Sequence, residues 1–281
     1  MRCRLMIAAL AAGACGHKDD ARAARQPPAW QHDGALAYRE EPDVATAVAD
    51  LIAEDDPRVI GFGELHSRTD RANVTSSLAH FTKEVFPAVK DRLSDLVLET
   101  WIVDPKCGEG AKTATAAVEG AMMRPQSTKS ELAQLIEAAR AAKVQPHAMH
   151  LGCDDYAKVA PPGQEIQIEV MLDLITRELG RLATAAAAKA PAGKIIATYG
   201  GALHNDRFPN PGVASWSFAD RVDHAVAGKY DEIDLYVPEL AAEDPASKNE
   251  AWFPLLGRAA KDHVVVIQRG AKSYIVLLPT S

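Results

Sequence analysis

No cluster of Lys and Arg occurs anywhere in this 281-residue chain, and its formal net charge is −7. Nucleic acid is therefore excluded as the expected partner, because phosphate binding needs clustered cations. Nor is there an apolar run of the roughly 18 residues that a membrane helix requires. A serine-centred nucleophile elbow, a Walker loop, a Rossmann fingerprint and a His-Glu-x-x-His pair are all missing. No repeat of solenoid period appears, and no shift of composition divides the chain. With 47% hydrophobic and 25% charged residues, it has the makings of one core near the upper size for a single domain.

Cysteine is scarce too, occurring only at positions 3, 15, 107 and 153. Arg2 and Arg4 precede the short apolar stretch Leu5 to Ala14, too short to span a bilayer and built like a signal peptide. Small residues before Cys15 and Gly16 after it resemble a bacterial lipobox, with Ala12 where leucine is usual. The expectation is removal of residues 1–14, a lipid anchor to the membrane at Cys15, and an exported protein of the cell envelope. In an oxidising compartment the remaining pair, Cys107 and Cys153, reads as a disulfide, the alternative being two unrelated buried thiols. Residues 15–40, polar and proline-bearing, read as a flexible tether, leaving 41–281 as one domain.

What is present is a recurring device. Val59-Ile60-Gly61-Phe62 runs into Gly63-Glu64-Leu65-His66, and Ile195-Ile196-Ala197-Thr198-Tyr199-Gly200 runs into Gly201-Ala202-Leu203-His204. Between them Asp95-Leu96-Val97-Leu98 ends in Glu99. Apolar runs of this length are buried strands, and ligands bind where such strands deliver their carboxyl ends into loops.

Helical periodicity separates the strands. Val44, Val48, Leu51 and Ile52 share one face after Pro42-Asp43; Val74, Leu78, Phe81 and Val85 make a stripe that Pro87 is expected to end. A helix is expected over 130–142 and the longest over 165–189, with Cys107-Gly108-Glu109-Gly110 in an irregular stretch. His263 to Gln268 and Tyr274 to Leu278, joined by a short Gly-bearing turn, predict an antiparallel hairpin. The fold expected is α/β: a three-layer domain on a mixed, mainly parallel sheet with a C-terminal antiparallel hairpin.

The candidate catalytic residues are Glu64, His66, Glu99 and His204. Two imidazoles and one or two carboxylates suit Zn²⁺, Mn²⁺ or Co²⁺ with a position open for water, whose pKa the ion lowers. His66, Glu99 and His204 are the expected ligands and Glu64 the proton acceptor. Without metal, the same groups make His–carboxylate pairs that activate water directly. Glycine at positions 63 and 201 is expected to let the backbone turn sharply and a ligand approach closely. His147 and His150, Asn205-Asp206, Arg68 with Asp70, and Tyr199 are weaker candidates, each with a plain structural reading. His80 reads as a packing residue.

Gly63-Glu64-Leu65-His66, Gly201-Ala202-Leu203-His204 and Glu99 together resemble the superfamily of ChaN-like haem-binding lipoproteins, erythromycin esterases and the Tiki and TraB proteins. The resemblance spans roughly residues 55 to 280 and is carried by these short motifs. It implies an α/β sandwich with its site at strand ends. The Tiki branch implies a metal-dependent protease on His66, His204 and Glu99. The esterase branch implies histidine as base, on Glu64 and His66, and the ChaN branch implies haem binding. The C-terminal membrane anchor of Tiki proteins and the long helical insertions of the esterases are not seen. The functions in view are a metal-dependent hydrolase of a peptide, ester or amide, a haem- or iron-binding lipoprotein, and a scaffold whose site has decayed.

Overall fold

The structure is a computed structural model that describes residues 25–280. The signal-like segment 1–14 and Cys15, with the expected processing and lipid attachment, lie outside the described residues. Strands β1 (Gln31–Asp33), β2 (Leu36–Glu41), β3 (Val59–Glu64), β4 (Leu93–Ile102), β5 (Gln145–His150), β6 (Ile195–Gly201), β7 (Tyr230–Tyr236), β8 (Val264–Gly270) and β9 (Ser273–Leu277) form one sheet. Its order is β1-β2-β8-β9-β7-β3-β6-β4-β5. The five pairings β3·β6, β3·β7, β4·β6, β4·β5 and β7·β9 are parallel; β1·β2, β2·β8 and β8·β9 are antiparallel. The chain is thus an α/β three-layer domain on a mixed, mainly parallel sheet closed by a C-terminal hairpin.

Period-two alternation sends side chains to two helical layers. Ile60 and Phe62 of β3, Leu96 and Leu98 of β4, and Ile195, Ala197 and Tyr199 of β6 pack under the helices Val44–Asp55, Phe86–Val89 and Ser127–Ala141. Val59, Val97 and Ile196 face the other layer, built from Gly108–Ala121, Cys153–Val159, Ile168–Lys189 and Ala219–Ala225. Central strands buried on both faces must be apolar throughout, which is why they stand out in the sequence. Asp43 caps Val44–Asp55, its carboxylate accepting from the Thr46 N–H at 2.7 Å.

Three expectations are corrected. Residues 15–40 are not all tether: β1 and β2 join the sheet through β8. Arg39, only 1% exposed, pairs with Glu41 (3.0 Å) and Glu54 (2.5 Å) and lies 4.5 Å from the Trp30 ring centre. This edge carries charged residues among its apolar ones, so it lacks the clean pattern of an interior strand. Pro87 does not end its helix; the preceding turn, Phe81–Val85, widens to a π-helix and Phe86–Val89 continues beyond it. A widened turn relieves the ladder where proline offers no N–H. Third, Gly108–Ala121 is a helix rather than an irregular stretch. Its three glycines and two threonines are weak helix formers, and the helix is held by packing of Ala111, Ala114 and Val118 on the second layer.

Cys107 and Cys153 are bonded, with S–S at 2.03 Å and Cα atoms 5.0 Å apart. The bridge ties the start of Gly108–Ala121 to the first residue of Cys153–Val159.

Candidate functional site

Register assembles the site. β3 and β6 run parallel with Gly63 opposite Gly200 and Glu64 opposite Gly201. On the other side of β6, Leu98 of β4 stands opposite Tyr199, which sets Glu99 level with Gly200. The two Gly-x-x-His motifs therefore leave the sheet together at its carboxyl edge, while Glu99, level with them, is not the strand end expected: β4 runs on to Ile102 beside β5.

The glycines earn their place by space rather than by turning the chain, since none of Gly63, Gly200 and Gly201 has a positive φ. A Cβ at Gly63 would lie 2.0 Å from Asp234 Oδ1, one at Gly200 2.6 Å from Glu99 Oε2, and one at Gly201 3.0 Å from His66 Nε2. Any larger residue would push the carboxylates and the imidazole off their present positions.

Glu64 and His66 form the first pair. His66 Nδ1 is 2.7 Å from Glu64 Oε1, and the Tyr199 hydroxyl donates to Glu64 Oε2 at 2.5 Å. A carboxylate against Nδ1 holds the proton there and leaves the Nε2 lone pair outward. That lone pair accepts from Arg124 Nη2 at 2.5 Å. The same Nη2 donates to Glu99 Oε1 at 2.9 Å, while Glu99 Oε2 accepts from the Gly201 N–H at 2.5 Å. His66 Nε2 and Glu99 Oε1 are 3.5 Å apart. Arg124 thus joins the two strands through a single nitrogen.

His204 sits in the four-residue helix Ala202–Asn205 and is buried. Its Nδ1 is 2.8 Å from Thr176 Oγ1 and 3.1 Å from the Trp216 carbonyl oxygen, to which the Thr176 hydroxyl also donates (2.9 Å). A carbonyl can only accept, so Nδ1 carries the proton and Nε2 is the basic nitrogen.

Charge follows from this packing. Burial works to lower the pKa of His66 and the Arg124 cation adds to it, but Glu99 and Glu64 outweigh both and the net shift is upward. Burial alone would raise Glu99, yet His66 and Arg124 hold it well below the usual carboxylate range, so it is ionised. Burial lowers His204, favouring the neutral ring. Burial, with Glu64 beside it, raises Tyr199 well above a normal phenol and keeps it a donor.

The structure brings Glu64, His66 and Glu99 into one hydrogen-bonded group, with His204 near enough for Glu99 and His66 to act on its charge. The expected ligand set of His66, Glu99 and His204 does not fit a metal as arranged. Arg124 bonds the donor atoms of the first two, His204 turns Nδ1 to Thr176, and no group of three ligand side chains comes together among the described residues. The adjacent cleft of about 380 Å³ is lined by Trp101, Met122, Arg124 and Met171 among others, with no histidine on its lining.

The weaker candidates mostly take structural roles. His147 pairs with Asp95 (2.7 Å), His150 is exposed, His80 pairs with Glu84 (2.7 Å), and Arg68 and Asp70 bind one another on the surface. Asn205 Nδ2 donates to the Gly61 carbonyl (3.0 Å), and Asp206 pairs with Arg269. Tyr199 does belong to the site. Arg124, Thr176 and Trp216 were not legible: each lies outside the strand-end motifs, and only the fold carries it there.

No family model and no curated protein matches the chain. Among solved structures it is similar to RRSP, a MARTX toxin effector domain from Vibrio vulnificus CMCP6, with 15% identity and a TM-score of 0.36 over 68% of this chain and 35% of that one. It is also similar to a structure described as bacterial protein toxins, with 16% identity and a TM-score of 0.36 over 68% and 36% of the two chains. The matched region is thus about a third of each of those structures, an overlap too loose to carry activity across.

Proposed function

We propose that the chain is a hydrolase of a carboxylic ester or amide, peptides included, in which His66 activates water and Glu64 orients it. The observation that carries this reading is the chain Tyr199–Glu64–His66–Arg124–Glu99, whose last two members line a cleft. Glu64 fixes the imidazole by its Nδ1 proton and stabilises the imidazolium that forms. His66 Nε2, once Arg124 turns to a bound substrate, takes a proton from water as the water oxygen attacks the carbonyl carbon. Arg124 then faces the oxyanion, and Glu99 holds the guanidinium in place. Collapse of the tetrahedral intermediate passes the proton from His66 to the leaving group, so water's hydroxyl stays on the acyl product.

A divalent-metal hydrolase remains the competing form of this proposal, and it requires Arg124 to leave both His66 and Glu99. Export and lipid attachment at Cys15 belong to the same proposal; the disulfide supports an oxidising compartment. Loss of palmitate labelling in Cys15→Ser tests the anchor.

The test of the activity is a peptide and ester panel with wild type, Glu64→Gln, His66→Ala, Glu99→Gln and His204→Ala. Melting temperature, metal content and visible spectrum are measured on each. Glu64→Gln and His66→Ala are expected to fold and to lose rate by ~10²–10⁴-fold, the usual contribution of general base catalysis. Activity abolished by a chelator and restored by Zn²⁺, Mn²⁺ or Co²⁺ establishes the metal form instead, and a Soret band the haem reading. Unchanged hydrolysis in all four variants overturns the site.

A further inference from the structure

The cleft that opens beside Glu99 and Arg124 has a composition of its own. Trp101 at the end of β4, Val118 and Met122 from Gly108–Ala121 and the residue following it, Leu132 from Ser127–Ala141, and Met171 and Ile175 from Ile168–Lys189 give it apolar walls. The indole Nε1–H of Trp101 is already spent on Thr115 Oγ1 (3.3 Å). Two further charges on the lining, Glu119 and Lys129, bind each other at 2.9 Å and cancel at the rim. Thr100, Gln126 and Thr128 also line the cleft, so its lining is mixed, with the charged pair Arg124 and Glu99 beside His66. Arg124 Nε–H is buried without a partner, while Nη2 serves His66 and Glu99. A buried donor without an acceptor is costly, and because this N–H is closed to solvent, a ligand oxygen in the cleft reaches it only once the guanidinium turns.

We infer that this cleft holds an apolar group, aromatic or branched aliphatic, attached on the acyl side of the scissile carbonyl, with the carbonyl oxygen on Arg124. The inference rests on the hydrolase reading and names the substrate class of that same site. Arg124 reaches both His66 and the cleft, so a carbonyl on its guanidinium has His66 to one side and the apolar walls to the other. The acyl substituent enters the walls, and the leaving group points out past His66. At about 380 Å³ the cleft lies near the small end of ligand pockets, ~300–1,000 Å³. It suits one compact group rather than a long chain. Such a substrate is a peptide bond following a bulky apolar residue, or an ester of an aryl- or branched-alkyl acid.

The experiment compares 4-nitrophenyl phenylacetate with 4-nitrophenyl acetate, each corrected for its spontaneous rate. Wild type is set against Ala116→Trp, which fills the cleft from an exposed helix position on its lining, and against Leu132→Trp from the opposite wall. Wild type is expected to favour the phenylacetyl ester in kcat/KM by about tenfold or more, the scale of discrimination by an apolar pocket. Ala116→Trp is expected to bring that ratio close to one while retaining the wild-type melting temperature. A wild-type ratio near one, or a ratio unchanged in both variants, overturns the inference and leaves the hydrolase reading standing. If neither ester is cut, the product analogue phenylacetate is titrated calorimetrically. Binding that Ala116→Trp abolishes upholds the cleft's ligand class and tells against hydrolysis; no binding to wild type overturns the inference.

Discussion

Arg124 Nη2 lies 2.5 Å from His66 Nε2, and this contact decides how the strand-end cluster works. It satisfies the outward nitrogen of the imidazole. It also puts a cation against an imidazole whose other neighbours are carboxylates. The arginine comes from the segment after Gly108–Ala121, so an element outside the sheet sets the state of a residue on it.

Removing the guanidinium tests that relationship. Arg124→Met is expected to cost ~10²–10³-fold in kcat, the scale of losing one oxyanion donor. Arg124→Lys should recover part of the loss, since it keeps the charge but not the two-sided geometry. The arginine also lowers the pKa of His66. Its removal therefore raises that pKa, and the acid limb of the kcat/KM profile should move to higher pH. A profile unmoved by Arg124→Met would show that His66 is not the titrating base.

The wild-type profile has a sign of its own. His66 must be neutral to accept a proton, and its pKa is raised from 6.5. Activity is expected to fall as pH drops through a value above 6.5. Glu99 is one cause of the rise, so Glu99→Gln should move the limb to lower pH, opposite to Arg124→Met. Opposite shifts from two neighbours of one imidazole are read directly from pH–rate curves.

The Cys107–Cys153 bridge closes a loop with a sequence separation of 46. Loop closure on this scale is worth on the order of 3–4 kcal/mol. The double variant Cys107→Ser with Cys153→Ser should lower the denaturation midpoint accordingly. Because Gly108–Ala121 walls the cleft, the same variant should raise KM more than it lowers kcat. Urea unfolding and steady-state kinetics check the two effects.

Asp231 on β7 is 1% exposed, and neither of its carboxylate oxygens has a hydrogen-bond partner. Burial, with Asp55 nearby, raises its pKa from 3.8 to about 7. Below pH 3.8 both folded and unfolded chains are protonated there, and the group has no effect on stability. Between 3.8 and about 7 only the unfolded chain ionises, so stability falls across that window and stays reduced above it. Asp231→Asn should therefore stabilise the protein at pH 8 by on the order of 1–3 kcal/mol, and by little at pH 3.5. Chemical denaturation at the two pH values measures the difference; an equal effect at both would mean the carboxyl is not titrating as argued.

The layers and the strand-end residues were legible because they obey local rules. β3, β4 and β6 are buried on both faces, so each had to be an apolar run. The runs stop at Glu64, Glu99 and Gly201; the chain leaves the sheet at Glu64 and Gly201, whereas β4 continues to Ile102. Ile168–Lys189 shows its stripe, and His263 onward shows its hairpin, because periodicity and turn chemistry act over a few residues. Cys107 and Cys153 could be paired since only two cysteines remain after Cys15. β1 at the sheet edge and β2 beside it carry mixed residues and read as tether, since what orders them is β8, more than two hundred residues away. Gly108–Ala121 mixes five alanines with three glycines and two threonines, so its helical signal is interrupted, and it is held by the layer it packs on. Tertiary structure alone decided that Arg124 stands between His66 and Glu99, and that Thr176 and Trp216 take Nδ1 of His204. A sequence displays donor atoms and their order, but which of them share a hydrogen bond is set by packing between segments, and that turned an expected metal set into an arginine-bridged pair of histidine and glutamate.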